Sequence, residues 1–172
     1  GSKVHTAIEM LIAGNTVKMT DQFINNTTKQ QEELSIDEYE AIWSFKEWYD
    51  EVKPEFILSE TTVISELHNF AGTTDCVAKI GEQIYIIDFK TGQNIWPTAE
   101  LQISAYKQAL GEAGRNVKNV KLAILQLGYK KNRRHYKFTE IEDCFNLFLA
   151  AKMIWEKEAS KQSPKQAEYP LE

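Results

Sequence analysis

The spacing of apolar residues changes along this chain, and each change marks an element. Val4, Ala7, Ile8, Leu11 and Ile12 recur every three or four positions, which predicts a helix over 3–13 with His5 and Glu9 one turn apart beside its buried stripe. Gly14 ends or bends it, and the pattern lets the helix resume from Val17 to Ile24. Tyr39, Ile42, Trp43, Phe45, Trp48 and Tyr49 predict a second helix from Ile36 to Val52, with Ser35 or Asp37 as cap, Pro54 at its end and its Trp and Phe in the core. Runs rich in β-branched residues at 56–58, 61–64, 72–80 and 83–88 then predict strands, the last two joined by a hairpin turn at Gly81-Glu82. Residues 97–112 return to the helical period, and Pro97 suits a first turn because its missing N–H costs little there. Residues 120–127 (VKLAILQL) form a buried-type strand, 135–138 its return partner, and 140–161 a last helix carrying Ile141, Phe145, Leu147, Phe148, Ala151, Ile154 and Trp155. The order α-α-β-β-β-α-β-β-α predicts a single α/β domain, one mixed sheet flanked by helices, over 1–160, followed by a polar tail over 161–172.

Composition narrows the class. A 172-residue chain that is 42% hydrophobic can bury a core of its own, and 26% charged residues with few Gly or Pro exclude a disordered chain. No apolar run approaches the roughly 20 residues of a bilayer span, and no signal peptide is visible. The two cysteines, Cys76 and Cys144, lack metal-ligand spacing and are too few for an iron–sulfur cluster, so a reduced cytoplasmic protein is expected. The net charge of -5 counts against a nucleic-acid partner. The run Lys130-Lys131-Asn132-Arg133-Arg134-His135-Tyr136-Lys137 counts for one, because a local basic patch can bind phosphates on an otherwise acidic surface.

The chemistry concentrates in GTTDCVAKIGEQIYIIDFKTG, residues 72–92. Asp75 and Asp88 sit in two apolar strands, where a carboxylate is costly unless it is paired or metal-bound. Two carboxylates suit Mg²⁺, a hard ion that keeps several waters and accepts one or two carboxylates plus substrate phosphates. Lys90 lies two residues beyond Asp88, so both point to one sheet face, where its ammonium can orient a water and stabilise a phosphorane-like transition state. Phe89 points the other way, but its carbonyl can still reach a metal. His5 is either a satisfied structural histidine beside the helical stripe or the residue that completes such a site, with Glu9 on its face of the helix. Gln102 and Tyr106, four apart on one helix face, are either a half-buried amide and phenol at a helix–sheet contact or a donor pair for a phosphate or base.

Taken in order, His5-xxx-Glu9, Gly72-Thr73-Thr74-Asp75, Asp88-Phe89-Lys90-Thr91 and Gln102-xxx-Tyr106 resemble the RecB-type branch of the PD-(D/E)XK nucleases, over residues 5 to about 127 with a compatible tail to about 155. The resemblance implies a restriction-endonuclease-like core that hydrolyses DNA phosphodiesters with Mg²⁺ or Mn²⁺. It implies Asp75, Asp88, His5 and the Phe89 carbonyl as metal ligands, Lys90 as the residue that positions the water, and Gln102 and Tyr106 as supports of the site and DNA contacts. Glu9 would stand behind the metal ligands, and Lys130, Lys131, Arg133 and Arg134 would meet the DNA backbone. Thr74 stands where the superfamily name expects Pro, and the second acid is Asp rather than Glu. The cluster-binding cysteines of some relatives are absent, so no iron–sulfur cluster is expected.

No helicase region accompanies these residues. The resemblance therefore implies a standalone domain or a fragment, of the form small phage exonucleases take, working in the cytoplasm of a bacterium or phage-infected host beside recombination or replication proteins. Exonucleolytic attack on DNA ends or single strands is the leading expectation. A nuclease-fold module that binds nucleic acid without turnover, and a structure-specific endonuclease, are the alternatives.

Overall fold

The structure, a computed structural model, describes residues 1–128, 135–159 and 161. Its elements are α1 (Ser2–Ile12), β1 (Phe23–Ile24), β2 (Gln31–Glu32), α2 (Ile36–Val52), β3 (Glu55–Ser65), β4 (Phe70–Ile80), β5 (Gln83–Lys90), α3 (Pro97–Glu112), β6 (Lys121–Leu127), β7 (Tyr136–Ile141) and α4 (Phe145–Ala159). β3 to β7 form one five-stranded sheet in sequence order. Only the β5–β6 pair is parallel, and α3 makes the crossover that a parallel pair requires. This is a mixed sheet flanked by helices, as the residue pattern predicts, and it is consistent with a restriction-endonuclease-like core. Among the described residues no helix is long and apolar enough to cross a membrane.

Strand alternation divides the core into two layers. Tyr85, Ile87 and Phe89 of β5 and Ala123, Leu125 and Leu127 of β6 face Val4 and Ile8 of α1 and Phe45 and Trp48 of α2. Ile86 of β5 and Leu122 and Ile124 of β6 face Ile103, Tyr106 and Leu110 of α3. Fully burying an apolar side chain of this size contributes about 1.5–3 kcal/mol, so the β5–β6 pair is held from both sides. α2 begins with a reciprocal capping box: Ser35 Oγ accepts the Glu38 N–H, and a Glu38 carboxylate oxygen accepts the Ser35 N–H. Gly81, at φ 60, supplies the positive φ that the two-residue turn between β4 and β5 needs.

Four local expectations are corrected. The helix does not resume over 17–24. Asn25 Oδ1 accepts the N–H groups of Thr27 and Thr28, and Asp21 accepts that of Lys18, so side chains satisfy the backbone locally and leave a small β1–β2 hairpin. The runs at 56–58 and 61–64 are one strand, β3, with a bulge between Phe56 and Leu58. β7 extends to Ile141, which pairs with Leu122, so α4 starts at Phe145 rather than 140. Phe45 and Trp48 are core residues, but Trp43 is 43% exposed.

Candidate active site

The β4–β5 register pairs Cys76 with Ile87, and its next step outward sets Asp75 opposite Asp88. There the ladder gives way to a side chain: Asp75 Oδ2 accepts the Phe89 N–H at 2.6 Å. Both carboxylates are buried on the α3 face, beside each other. Like charges so placed repel, and burial together with the Asp75 charge pushes the Asp88 carboxyl up to about 6. Lys90 Nζ stands 2.6 Å from Asp88 Oδ2. That oxygen is buried and has no well-aligned hydrogen bond, so it keeps acceptor capacity for a cation.

His5 reaches the same place from α1. Its Nε2 contacts the Phe89 carbonyl at 3.0 Å, and its Nδ1 lies 3.2 Å from Asp75 Oδ1. Burial alone would lower its pKa, but the hydrogen bond and charge of Asp75, aided by Asp88 and Glu60, leave it raised. The raised pKa favours the protonated imidazole beside these carboxylates.

Glu60 is a residue that the motif reading missed. The β3–β4 register pairs Ser59 with Cys76 and Thr61 with Thr74, which sets Glu60 opposite Asp75. Glu60, Asp75 and Asp88 thus fall in one row across β3, β4 and β5. One donor atom from each of His5, Glu60 and Asp75 lies within 4.8 Å of the other two. Asp88 is not in that trio, and its Oδ2 stands against Lys90. Glu60 has φ 41, a left-handed conformation that costs a non-glycine residue about 1–2 kcal/mol. Its pKa is raised by burial and then by the Asp75 charge. In the sequence its only trace is the polar Ser59-Glu60 pair that splits two β-branched runs. Glu9, one turn beyond His5, is exposed and adds its charge to the field at Glu60.

Tyr106 reaches Gly72 and the Thr73 backbone from α3, and Gln102, exposed one turn earlier, hydrogen-bonds to Tyr106. Burial, then the Asp88 and Asp75 charges, push the Tyr106 phenol up to about 12, although hydrogen bonds from Gln102 and the Thr73 backbone oppose that shift. Gly72 leaves no room for a side chain: a Cβ there would stand 2.5 Å from Tyr106 Cε1. Gln126 also escaped the reading. This buried amide in β6 donates to the carbonyls of Gly92 and Gln93 at 3.1 and 2.9 Å, tying down the loop after Lys90. A lone amide in VKLAILQL was its signal. Lys130, Lys131, Arg133 and Arg134 lie outside the described residues.

A family model described as the PD-(D/E)XK nuclease superfamily matches residues 1–169, so the chain belongs to that superfamily. No curated protein matches the chain. Such nucleases generally use divalent metal ions, and the donors here suit one: carboxylates, an imidazole and a carbonyl, with a buried Asp88 oxygen short of hydrogen bonds.

The Asp88 environment makes metal-free stability depend on pH. A carboxyl whose folded pKa is raised contributes stability that is fully present below its unfolded value, near 3.8, and is lost as pH rises through about 6. In EDTA, Asp88→Asn should therefore match the wild type near pH 4 and exceed it by on the order of 2–3 kcal/mol at pH 7. Thermal unfolding of both chains across that range checks it. A stability difference that stays flat with pH contradicts the assignment.

Proposed function

We propose that the chain is a divalent-metal-dependent deoxyribonuclease of the RecB-type branch, an exonuclease on DNA ends or single strands. The observation that carries the reading is the convergence of His5, Asp75, the Phe89 carbonyl, Asp88 and Lys90 at the outer end of the β4–β5 hairpin, within a chain of nuclease family. Asp75, Asp88, His5 and the Phe89 carbonyl hold the cation, Mg²⁺ or Mn²⁺, and Glu60 joins them. Bound there, the cation supplies Lewis-acid polarisation of the scissile phosphate and lowers the pKa of water.

The remaining work falls to side chains. Lys90, tethered to Asp88 and about a third exposed, orients the attacking water and offsets charge on the phosphate oxygens. Tyr106 and Gln102 keep α3 against the GTTD segment and face the strand being cut. Lys130, Lys131, Arg133 and Arg134 neutralise phosphates of the nucleic-acid backbone.

The test is digestion of linear and covalently closed circular DNA of one sequence, with Mg²⁺ or Mn²⁺. Nucleotide release from linear DNA and survival of the circle are expected. Nicking of the circle would replace the exonuclease assignment with an endonuclease, and inertness toward both would withdraw hydrolysis. Glu60→Gln should weaken Mn²⁺ binding about 10- to 100-fold, the range for loss of a supporting metal contact. Titration calorimetry checks this, and an unaltered affinity removes Glu60 from the metal site.

A further inference from the structure

A cavity of about 750 Å³ opens beside Lys90 and runs between α3 and α4, and its lining is mainly apolar. Tyr106 and Gln102 belong to its wall, so it is continuous with the site just described. Two indoles border it, Trp96 at the N-cap of α3 and Trp155 on α4, and they are 70% and 68% exposed. Phe148 of α4 joins them in the lining and stands edge-on to Phe70. Such large exposed aromatic surface beside a reaction centre calls for a ligand with flat apolar faces.

We propose that this cleft holds an unpaired stretch of the nucleic-acid strand next to the scissile phosphate, its bases stacked on Trp96 and Trp155. The proposal rests on the nuclease reading for the position of that phosphate, and it adds the form of the substrate. A strand cut beside Lys90 must continue somewhere, and Lys90 lines the cleft. A duplex does not suit it. Paired bases hide their faces within the helix and offer phosphates outward, which calls for free cations. The lysines of this wall are already engaged: Lys90 pairs with Asp88, and Lys152 pairs with Glu156. Unpaired bases expose their π-faces, and aromatic stacking holds them whatever their sequence. Binding in this cleft therefore depends less on salt than binding to a basic groove does.

The experiment uses the full chain carrying Asp88→Asn, in EDTA, so that binding is read without cleavage. Fluorescein-labelled oligothymidine and a duplex of equal length are titrated by fluorescence anisotropy. Trp96→Ala and Trp155→Ala, each added to Asp88→Asn, should weaken oligothymidine binding roughly 5- to 150-fold, the equivalent of one lost stacked base. Duplex affinity should change less than twofold, and Trp155→Tyr should restore most of the loss. Both indoles are exposed, so their removal leaves the core intact, and thermal unfolding verifies that. Oligothymidine affinity that survives both substitutions, or an equal loss for duplex, overturns the proposal. So does a change of mass on size exclusion caused by Trp155→Ala, which would show that a second copy covers the face. Cleavage assays on the wild-type chain judge the nuclease reading separately: stacking without hydrolysis would retain the cleft and remove the reaction.

Discussion

On the nuclease reading proposed above, Asp88→Asn and Lys90→Ala should each lower DNA hydrolysis roughly 10²- to 10⁴-fold, the range for loss of a group that acts on the transition state, yet should move stability in opposite directions at neutral pH. Asp88 is buried, faces Asp75 and has its carboxyl pushed up to about 6. Its charge is therefore a burden to the metal-free fold, and Asn relieves that burden. Lys90→Ala does the reverse by leaving the Asp88 carboxylate buried without its ammonium. A fully buried pair broken in this way costs about 3–5 kcal/mol. Lys90 is about a third exposed, so solvent screening reduces the loss to about 1–3 kcal/mol.

At this chain length each kcal/mol moves Tm by roughly 2–4 °C, so both shifts are measurable in EDTA at pH 7. The double variant should cost no more activity than the worse single one, because the two residues serve one reaction centre. Either single variant keeping half of the wild-type rate removes the mechanism. Two losses of stability, instead of a gain and a loss, would leave the mechanism standing but contradict the electrostatic account of Asp88.

The opposition between stability and activity also explains which parts of this molecule were legible in its sequence. Elements driven by one periodic pattern came through. Ile36–Val52 forms with its Ser35 cap, and the β4–β5 hairpin turns at Gly81. Elements decided by local competition did not. The 17–24 stretch has helical spacing, but Asn25 and Asp21 offer its neighbours better hydrogen bonds. α4 has an apolar pattern too, yet none of its residues is buried, because only part of one face meets α3.

The site divides in the same way. Asp75, Asp88 and Lys90 were readable because charges in apolar strands are costly and therefore conspicuous. Tyr106 packs in the α3–sheet core beside these carboxylates, and only the ordered motifs set it and Gln102 apart from an ordinary helix contact. Glu60 was not readable. Its place opposite Asp75 depends on the β3–β4 register and on a backbone conformation that no residue type announces.

Gly72→Ala should do more damage than any other single added methyl group near the site. Gly72 pairs with Val63 in the β3–β4 ladder, and a Cβ on it would stand 2.5 Å from Tyr106 Cε1 and 3.1 Å from Cζ and the hydroxyl oxygen. Tyr106 cannot step aside cheaply. Its ring is buried, and Ile103, Ala109 and Leu110 of the same helix are packed in the core, so α3 resists being lifted. Overpacking of this kind costs about 1–3 kcal/mol. The catalytic loss should be larger in proportion, because the ring displaced by the methyl group lies near Asp75 and Asp88, and a shift of about 1 Å can cost on the order of 10²-fold in rate.

A second substitution separates clash from chemistry. In Gly72→Ala/Tyr106→Leu the smaller side chain leaves room for the methyl, so Tm should recover most of what Gly72→Ala lost while hydrolysis stays low. The coupling energy of this cycle, read from thermal unfolding of all four chains, should be of either single variant's own size. Independent, additive losses would mean that the Gly72–Tyr106 contact is not what ties the GTTD segment to α3.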